Sequence, residues 1–276
     1  MFKNITPPLI IKFLKKFFYP NKSILKNEII YVGDFKTWEE ALKFSTGYDQ
    51  KIILEKVLHS TLAVKNGEKV YERDSVFFEN IQYSWIASCG LLLAASSSEG
   101  QLSVLDFGGS LGSCYFQNRN LINRLTKVKW NIIEQEHFVD AGNKFIKIDE
   151  LMFYNNIQEC LNKNKPNVIL ISSALQYLKN PLDVLNQLKD SGAKYLIIDR
   201  TPFSDFSNDR ILIQKVPEYI YEASYPIRVF SQECIIKVLE ENWHLIAIED
   251  SKDGTVLCPD GFKFTFRGAL FHAKNA

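Results

Sequence analysis

Gly108, Gly109 and Gly112 follow Asp106 and Phe107 in the run LDFGGSLG, and an acid, Glu134, comes 28 residues after Asp106. Glycine lets a backbone approach a ligand closely because no Cβ stands in the way. An acid ending the next strand can take the two hydroxyls of a ribose. Together these residues point to a nucleoside-like ligand held at the carboxyl edge of a parallel sheet. The spacing is not G-x-G-x-x-G, and no Lys or Arg lies in the turn to meet a pyrophosphate. The G-K-[ST] of a phosphate-binding loop is also absent.

S-adenosylmethionine carries no phosphate, so a glycine turn without a nearby cation suits it better than a dinucleotide. Two other motifs overlap the segment. Residues 108–112 spell G-x-S-x-G, with Ser110 as a serine-hydrolase nucleophile and Asp199 or Asp250 and His272 downstream in hydrolase order. That elbow normally follows several strands, whereas the preceding stretch reads as helical. Asp106-Phe107-Gly108 matches the kinase D-F-G, but no H-R-D loop precedes it.

The elements that must position these residues begin at Ser103. Apolar runs at Ser103–Phe107, Val128–Glu134, Leu151–Tyr154, Asn167–Ser172 and Lys194–Asp199 read as strands. Helical stretches at Ser113–Leu125, His137–Phe145, up to Leu161, and Pro181–Leu188 separate them, which means βαβ units. After a helix at Ser231–Asn242, two alternating stretches, Trp243–Ile248 and Phe262–His272, predict an antiparallel pair at a sheet edge. The expected fold is α/β: a Rossmann-like, mostly parallel sheet over residues 101–276. Residues 1–100 are expected to form a helical N-terminal cap without a strand, one of its helices started by the capping box at Thr37 and Glu40.

Composition excludes several classes. Lys+Arg of 33 against Asp+Glu of 32 leaves no bulk charge to attract nucleic acid. Five scattered cysteines without a C-x-x-C pair suggest neither a disulfide framework nor a zinc site, so no metal is expected and a cytoplasmic location is the default. The chain has no apolar run long enough to span a bilayer. Pro8 to Pro20, PLIIKFLKKFFYP, lacks the layout of a signal peptide. It reads first as a helix packed on its own domain and second as a basic amphipathic helix making peripheral contact with the inner face of the membrane.

The strand order, the D-F-G-G-S-L-G loop and Glu134 resemble a class I S-adenosylmethionine-dependent methyltransferase. More narrowly, YERDSVFF (Tyr71–Phe78), LDFGGSLGSCYFQNR (Leu105–Arg119), IIEQEHFV (Ile132–Val139), SSALQYLKNP (Ser172–Pro181), IIDRTPF (Ile197–Phe203) and YPIRVF (Tyr225–Phe230) resemble a bacterial methyltransferase family associated with cell-surface polysaccharide gene clusters. The resemblance implies that Asp106, Gly108, Gly109, Ser110 and Gly112 hold the methionine part of the cofactor and Glu134 the ribose, with Ser173 and Gln176 beside them. It implies methyl transfer, at oxygen, to a small-molecule or sugar-linked acceptor such as a nucleotide-sugar or phosphorylated sugar. The alternative is a cofactor-binding, non-catalytic partner of a polysaccharide assembly system.

Methyl transfer demands mainly alignment of nucleophile, methyl carbon and sulfur. A hydroxyl acceptor also calls for a base within hydrogen-bond reach, and Asp199, His137 and Tyr177 are the candidates at strand ends. Glu72 and Asp74 could come in from the N-terminal cap. Arg73 and Arg200 are candidates for binding an anionic acceptor through their planar forks, and Tyr225 for the acceptor-pocket wall, with Tyr219 and Tyr221 in the same aromatic run.

Overall fold

The computed structural model describes residues 29–47, 50–218, 220 and 223–275. The stretch Pro8 to Pro20, Tyr219 and Tyr221 lie outside the described residues. The described residues begin with β1 (Ile30–Phe35), α1 (Trp38–Lys43), α2 (Gln50–Lys65), β2 (Tyr71–Arg73), β3 (Val76–Phe78) and α3 (Trp85–Ser96). The central part is β4 (Gln101–Phe107), α4 (Ser113–Ile122), β5 (Lys127–Ile133), α5 (Glu136–Ala141), β6 (Leu151–Tyr154), α6 (Ile157–Lys163), β7 (Val168–Ser172), α7 (Pro181–Leu188) and β8 (Tyr195–Ser204). It ends with β9 (Arg210–Val216), β10 (Ala223–Ser231), α8 (Gln232–Leu239), β11 (Trp243–Leu257) and β12 (Lys263–Ala273).

Five strands run parallel in the order β6-β5-β4-β7-β8, the Rossmann-like sheet expected. Their apolar runs are continuous because both faces are buried. Val104, Ile132, Leu170 and Ile197 share one core with Leu91 of α3 and Phe116 of α4. Their neighbours Leu105, Ile133, Ile169 and Ile198 share the opposite core with Ile157 of α6, Leu185 of α7 and Ile235 of α8. β12 pairs antiparallel with β8 and with β11, as the alternation predicts. The Thr37 cap also forms: its Oγ1 accepts from the amide of Glu40 at 3.1 Å, while Oε2 of Glu40 reaches back to the amide of Lys36 at 3.0 Å.

The N-terminal third departs from the expectation of a strandless cap. β1 pairs antiparallel with β9, and β2 and β3 form a hairpin. α3 is not a cap element but packs on the sheet, with Leu91, Ala94 and Ala95 in the same core as Val104. β9 and β10 are strands that the sequence did not announce. β1 is an edge strand whose partner, Lys215 opposite Ile30, is remote in the chain, and β2 and β3 have three residues each, too few for a period. β10 contains Pro226, which argues against a strand. It is tolerated because β10 meets β8 only at Phe230 and Ser231. β8 also runs on to Ser204, past the expected end at Asp199, through a left-handed Arg200 (φ 49°).

Candidate functional site

The carboxyl ends of β4, β5, β7 and β8 bring the predicted chemistry together. The turn after β4 is held in left-handed conformations at Gly108 (φ 71°), Ser110 (φ 54°) and Gly112 (φ 101°). A Cβ on residue 108 would lie 2.5 Å from Cβ of Ala174, so only glycine fits between the two loops. Glu134, just past β5, is tied to this turn. Its Oε1 accepts from the amide of Ser110 at 3.2 Å, and its Oε2 from the amide of Gln135 at 2.9 Å. Burial raises the pKa of this carboxyl, and the two amides oppose the rise. Each carboxylate oxygen has a second lone pair for a ligand hydroxyl.

Beside the turn lies a cleft of about 980 Å³. Phe107, Gly108, Ile133, Glu134, Gln135 and Phe138 form one wall. Trp38 and Leu42 of α1, Thr46, Ile53 of α2, Tyr177, and Ser224 and Tyr225 of β10 form the others. A smaller cleft of about 200 Å³ adjoins it and shares Ile53, Gly108, Phe138 and Ser173. The β2–β3 hairpin closes this smaller space with Glu72, Arg73, Asp74 and Ser75, opposite Gly109, Ser110, Ser113 and Arg200. Glu72 is 3% exposed and accepts from Oγ of Ser113 and from the amide of Ser75, while burial pushes its pKa up.

Gly108, Ser110, Glu134, Ser173, Tyr177 and Tyr225 therefore line the two clefts as a group. Tyr177 and Tyr225 meet edge to face, ring centroids 5.4 Å apart. Gln214 of β9 holds both: its Oε1 accepts from the Tyr177 hydroxyl at 3.0 Å, and its Nε2 donates to the Tyr225 oxygen at 3.3 Å. Gly112 begins α4 and packs toward Leu151.

Asp106 does not reach the ligand space. It is fully buried, its Oδ2 accepts from Nε1 of Trp130 at 2.8 Å, and a Cβ on residue 109 would lie 2.5 Å from its carboxyl. It supports the turn from beneath. Burial pushes its pKa up to about 7; the Trp130 hydrogen bond opposes this and the charge of Glu134 adds to it. Gln176 is likewise buried, donating to Oγ of Ser173 and to the carbonyl of Arg200, so it braces Ser173 and does not touch the cleft.

Two of the three expected bases are misplaced. Asp199 accepts from Ser84 at 2.8 Å and Ser172 at 3.1 Å and lines a third cleft with Tyr83, Trp85 and Glu249, which shares Arg73 and Arg200 with the smaller cleft but no residue with the main one. His137 is absent from the walls of both clefts beside the turn, its ring against Phe138 and its Nε2 buried. Arg73 and Arg200 face the smaller cleft and are already engaged. Arg200 donates to Asp253 at 2.7 Å and Asp74 at 2.6 Å, and Arg73 lies 3.4 Å from Asp253. The hydrolase triad does not assemble. His272 stands opposite Tyr195 at the amino end of β8, remote from Ser110, and Asp250 binds Arg267 at 2.9 Å.

Trp38, Thr46, Ser224 and Gln214 were not anticipated. The one signal for Gln214 is a polar residue inside the apolar run of β9, where it is 5% exposed. Among the described residues no group of three or more His, Cys, Asp or Glu could hold a metal ion, and no helix is long and apolar enough to cross a membrane.

No protein-family model matches the chain, and no curated protein matches it. Among solved structures, the N-terminal domain of EvdMO1 in the presence of SAH and D-fucose is 11% identical, with a TM-score of 0.47, over 83% of this chain and 98% of that one. An S-adenosylmethionine-dependent methyltransferase from Clostridium acetobutylicum is 14% identical, with a TM-score of 0.43, over 69% of this chain and 92% of that one. The [4+2]-cyclase SpnF is 10% identical, with a TM-score of 0.46, over 82% of this chain and 96% of that one. Similarities this low do not assign an activity to the chain.

Proposed function

We propose that the chain is an S-adenosylmethionine-dependent methyltransferase acting at oxygen on a small-molecule or surface-glycan-related acceptor. The observation that carries this reading is the joining of Glu134 to the Gly108–Gly112 turn through the amide of Ser110, on one wall of a cleft large enough for a nucleoside and an acceptor together.

The residues present fit that cofactor. Gly108 brings bare backbone to the cleft, and Glu134, raised by burial, gains from accepting ribose hydroxyls. In the smaller cleft Glu72 is placed for the ammonium of the methionine end, while Arg73 and Arg200 stay paired with Asp74 and Asp253. When bound, the cofactor supplies a methyl group on a sulfonium that is already a good leaving group.

The chain's own contribution is alignment. Tyr177 and Tyr225, locked by Gln214, orient the acceptor at the wall facing Glu134. Phe138 and Ile53, common to both clefts, exclude water from their junction. Tyr177 remains the candidate to meet an acceptor hydroxyl, now as an orienting group, because its own proton is given to Gln214.

A second reading, a cofactor-binding subunit without turnover, is favoured by one observation: among the described residues lining the main cleft there is no histidine and no carboxylate other than Glu134. The two readings separate in one experiment. Calorimetry with S-adenosylmethionine tests the site, and a screen of sugars and sugar-linked nucleotides for methyl uptake tests turnover. Binding with uptake supports the enzyme; binding without uptake by any acceptor supports the subunit; no binding removes both.

A further inference from the structure

We propose that the acceptor part of the main cleft takes an uncharged, hydroxylated ring and rejects phosphorylated, nucleotide-linked and carboxylated acceptors; this rests on the methyl-transfer reading above. Charge placement carries the inference. Among the described residues lining that cleft the single charged side chain is Glu134, on the cofactor wall. Arg73 and Arg200, the cations that an anionic acceptor would need, face the smaller cleft and are bound to Asp74 and Asp253. Lys179, next in the chain to the cleft residue Leu178, is paired with Glu39 at 2.5 Å.

An anion placed against Trp38, Leu42, Tyr177 and Tyr225 would lose water without gaining a counter-charge from the described lining residues, a loss in affinity of at least about 100-fold. The same walls favour a neutral ring. Tyr177 and Tyr225 stand at 80° to each other and are fixed by Gln214, so an aromatic face is presented at little entropic cost. Thr46 and Ser224, whose hydroxyls lie 2.9 Å apart, add polar groups suited to ring hydroxyls. A neutral sugar and a phenol share this chemistry.

The test uses the full chain. Its affinity for S-adenosylhomocysteine is first measured by calorimetry. The loaded protein is then titrated, with saturation-transfer NMR as readout, against methyl hexopyranosides and catechol, and against hexose 1-phosphates, UDP-hexoses and glucuronic acid. At least one neutral probe is expected to bind, and its charged counterparts about 100-fold more weakly or not at all. Sugar or phenol binding identifies which source supplies the ring. Leu42→Arg, on an exposed part of α1, is expected to narrow the gap about 10-fold by supplying the missing cation. Charged probes binding as tightly as neutral ones overturn the proposal, and so does loaded protein that binds no neutral probe. Failure to bind S-adenosylhomocysteine at all overturns the methyl-transfer reading itself, and is told apart by the first measurement.

Discussion

The amide of Ser110 donates to Oε1 of Glu134 at 3.2 Å, so the turn after β4 and the end of β5 are one unit. The bond places a carboxylate at the edge of the glycine turn while leaving lone pairs for a ligand. Glu134→Ala removes both the brace and the ligand contact, and is expected to weaken S-adenosylmethionine binding by about 10- to 100-fold. Glu134→Gln keeps an acceptor for Ser110 and should lose less. Calorimetry on both variants, with circular dichroism to show an unchanged fold, checks this; equal affinity in Glu134→Ala and the parent chain would remove the ribose role.

Gly108 has no room for a side chain, since its Cβ would meet Ala174 at 2.5 Å and its φ of 71° disfavours any branched residue. Gly108→Val is expected to abolish measurable cofactor binding. Unfolding by urea separates a displaced loop, which leaves the transition in place, from a general collapse.

Asp106 sets a pH dependence. Between the ordinary carboxyl range and about 7, the folded chain holds a proton on Asp106 that the unfolded chain has released. Stability contributed in this way is present at low pH and declines as pH rises through that window. Asp106→Asn keeps an acceptor for Trp130 without the charge, so its Tm should fall less between pH 4.5 and pH 7.5 than that of the parent. Burial moves Glu72 and Asp199 in the same direction. Identical slopes in parent and variant would show that Asp106 does not titrate there.

Arg200 joins Asp74 of the β2–β3 hairpin to Asp253 of β11. Arg200→Ala leaves Asp253 without its main counter-charge, and is expected to cost about 3–5 kcal/mol by denaturant unfolding. The hairpin then loses its tie, so proteolysis next to Asp74 should quicken before global unfolding does.

Tyr177→Phe breaks the hydrogen bond to Gln214 but keeps the ring. With an acceptor in hand, kcat/KM should fall about 10-fold while affinity for S-adenosylhomocysteine stays unchanged. A serine-reactive phosphonate is expected to leave Ser110 unlabelled, because His272 lies at the opposite end of β8.

Much of the site was legible because its signals are local. The turn, its glycines and the acid ending β5 are each determined within a few residues of chain, by steric allowance and by apolar runs that must be buried on both faces. Arg73 and Arg200 show the limit. Their forks suit an anion, but the carboxylates that occupy them come from residues 74 and 253, and no short-range pattern announces a pairing of that kind. Asp199 shows the same limit: it ends the expected strand segment, but its two oxygens accept from Ser84 and Ser172 and it does not line the main cleft.

By itself the sequence determined the parallel sheet, the glycine turn after β4 and the position of Glu134, because strand burial and glycine sterics act over one or two turns of chain. The tertiary structure alone decided that α1 and β10 wall the main cleft, that Gln214 of β9 locks its two tyrosines, and that Arg73 and Arg200 face the smaller cleft. Those outcomes depend on pairings between remote residues, such as Ile30 with Lys215, whose free energy is realised only once the sheet has closed.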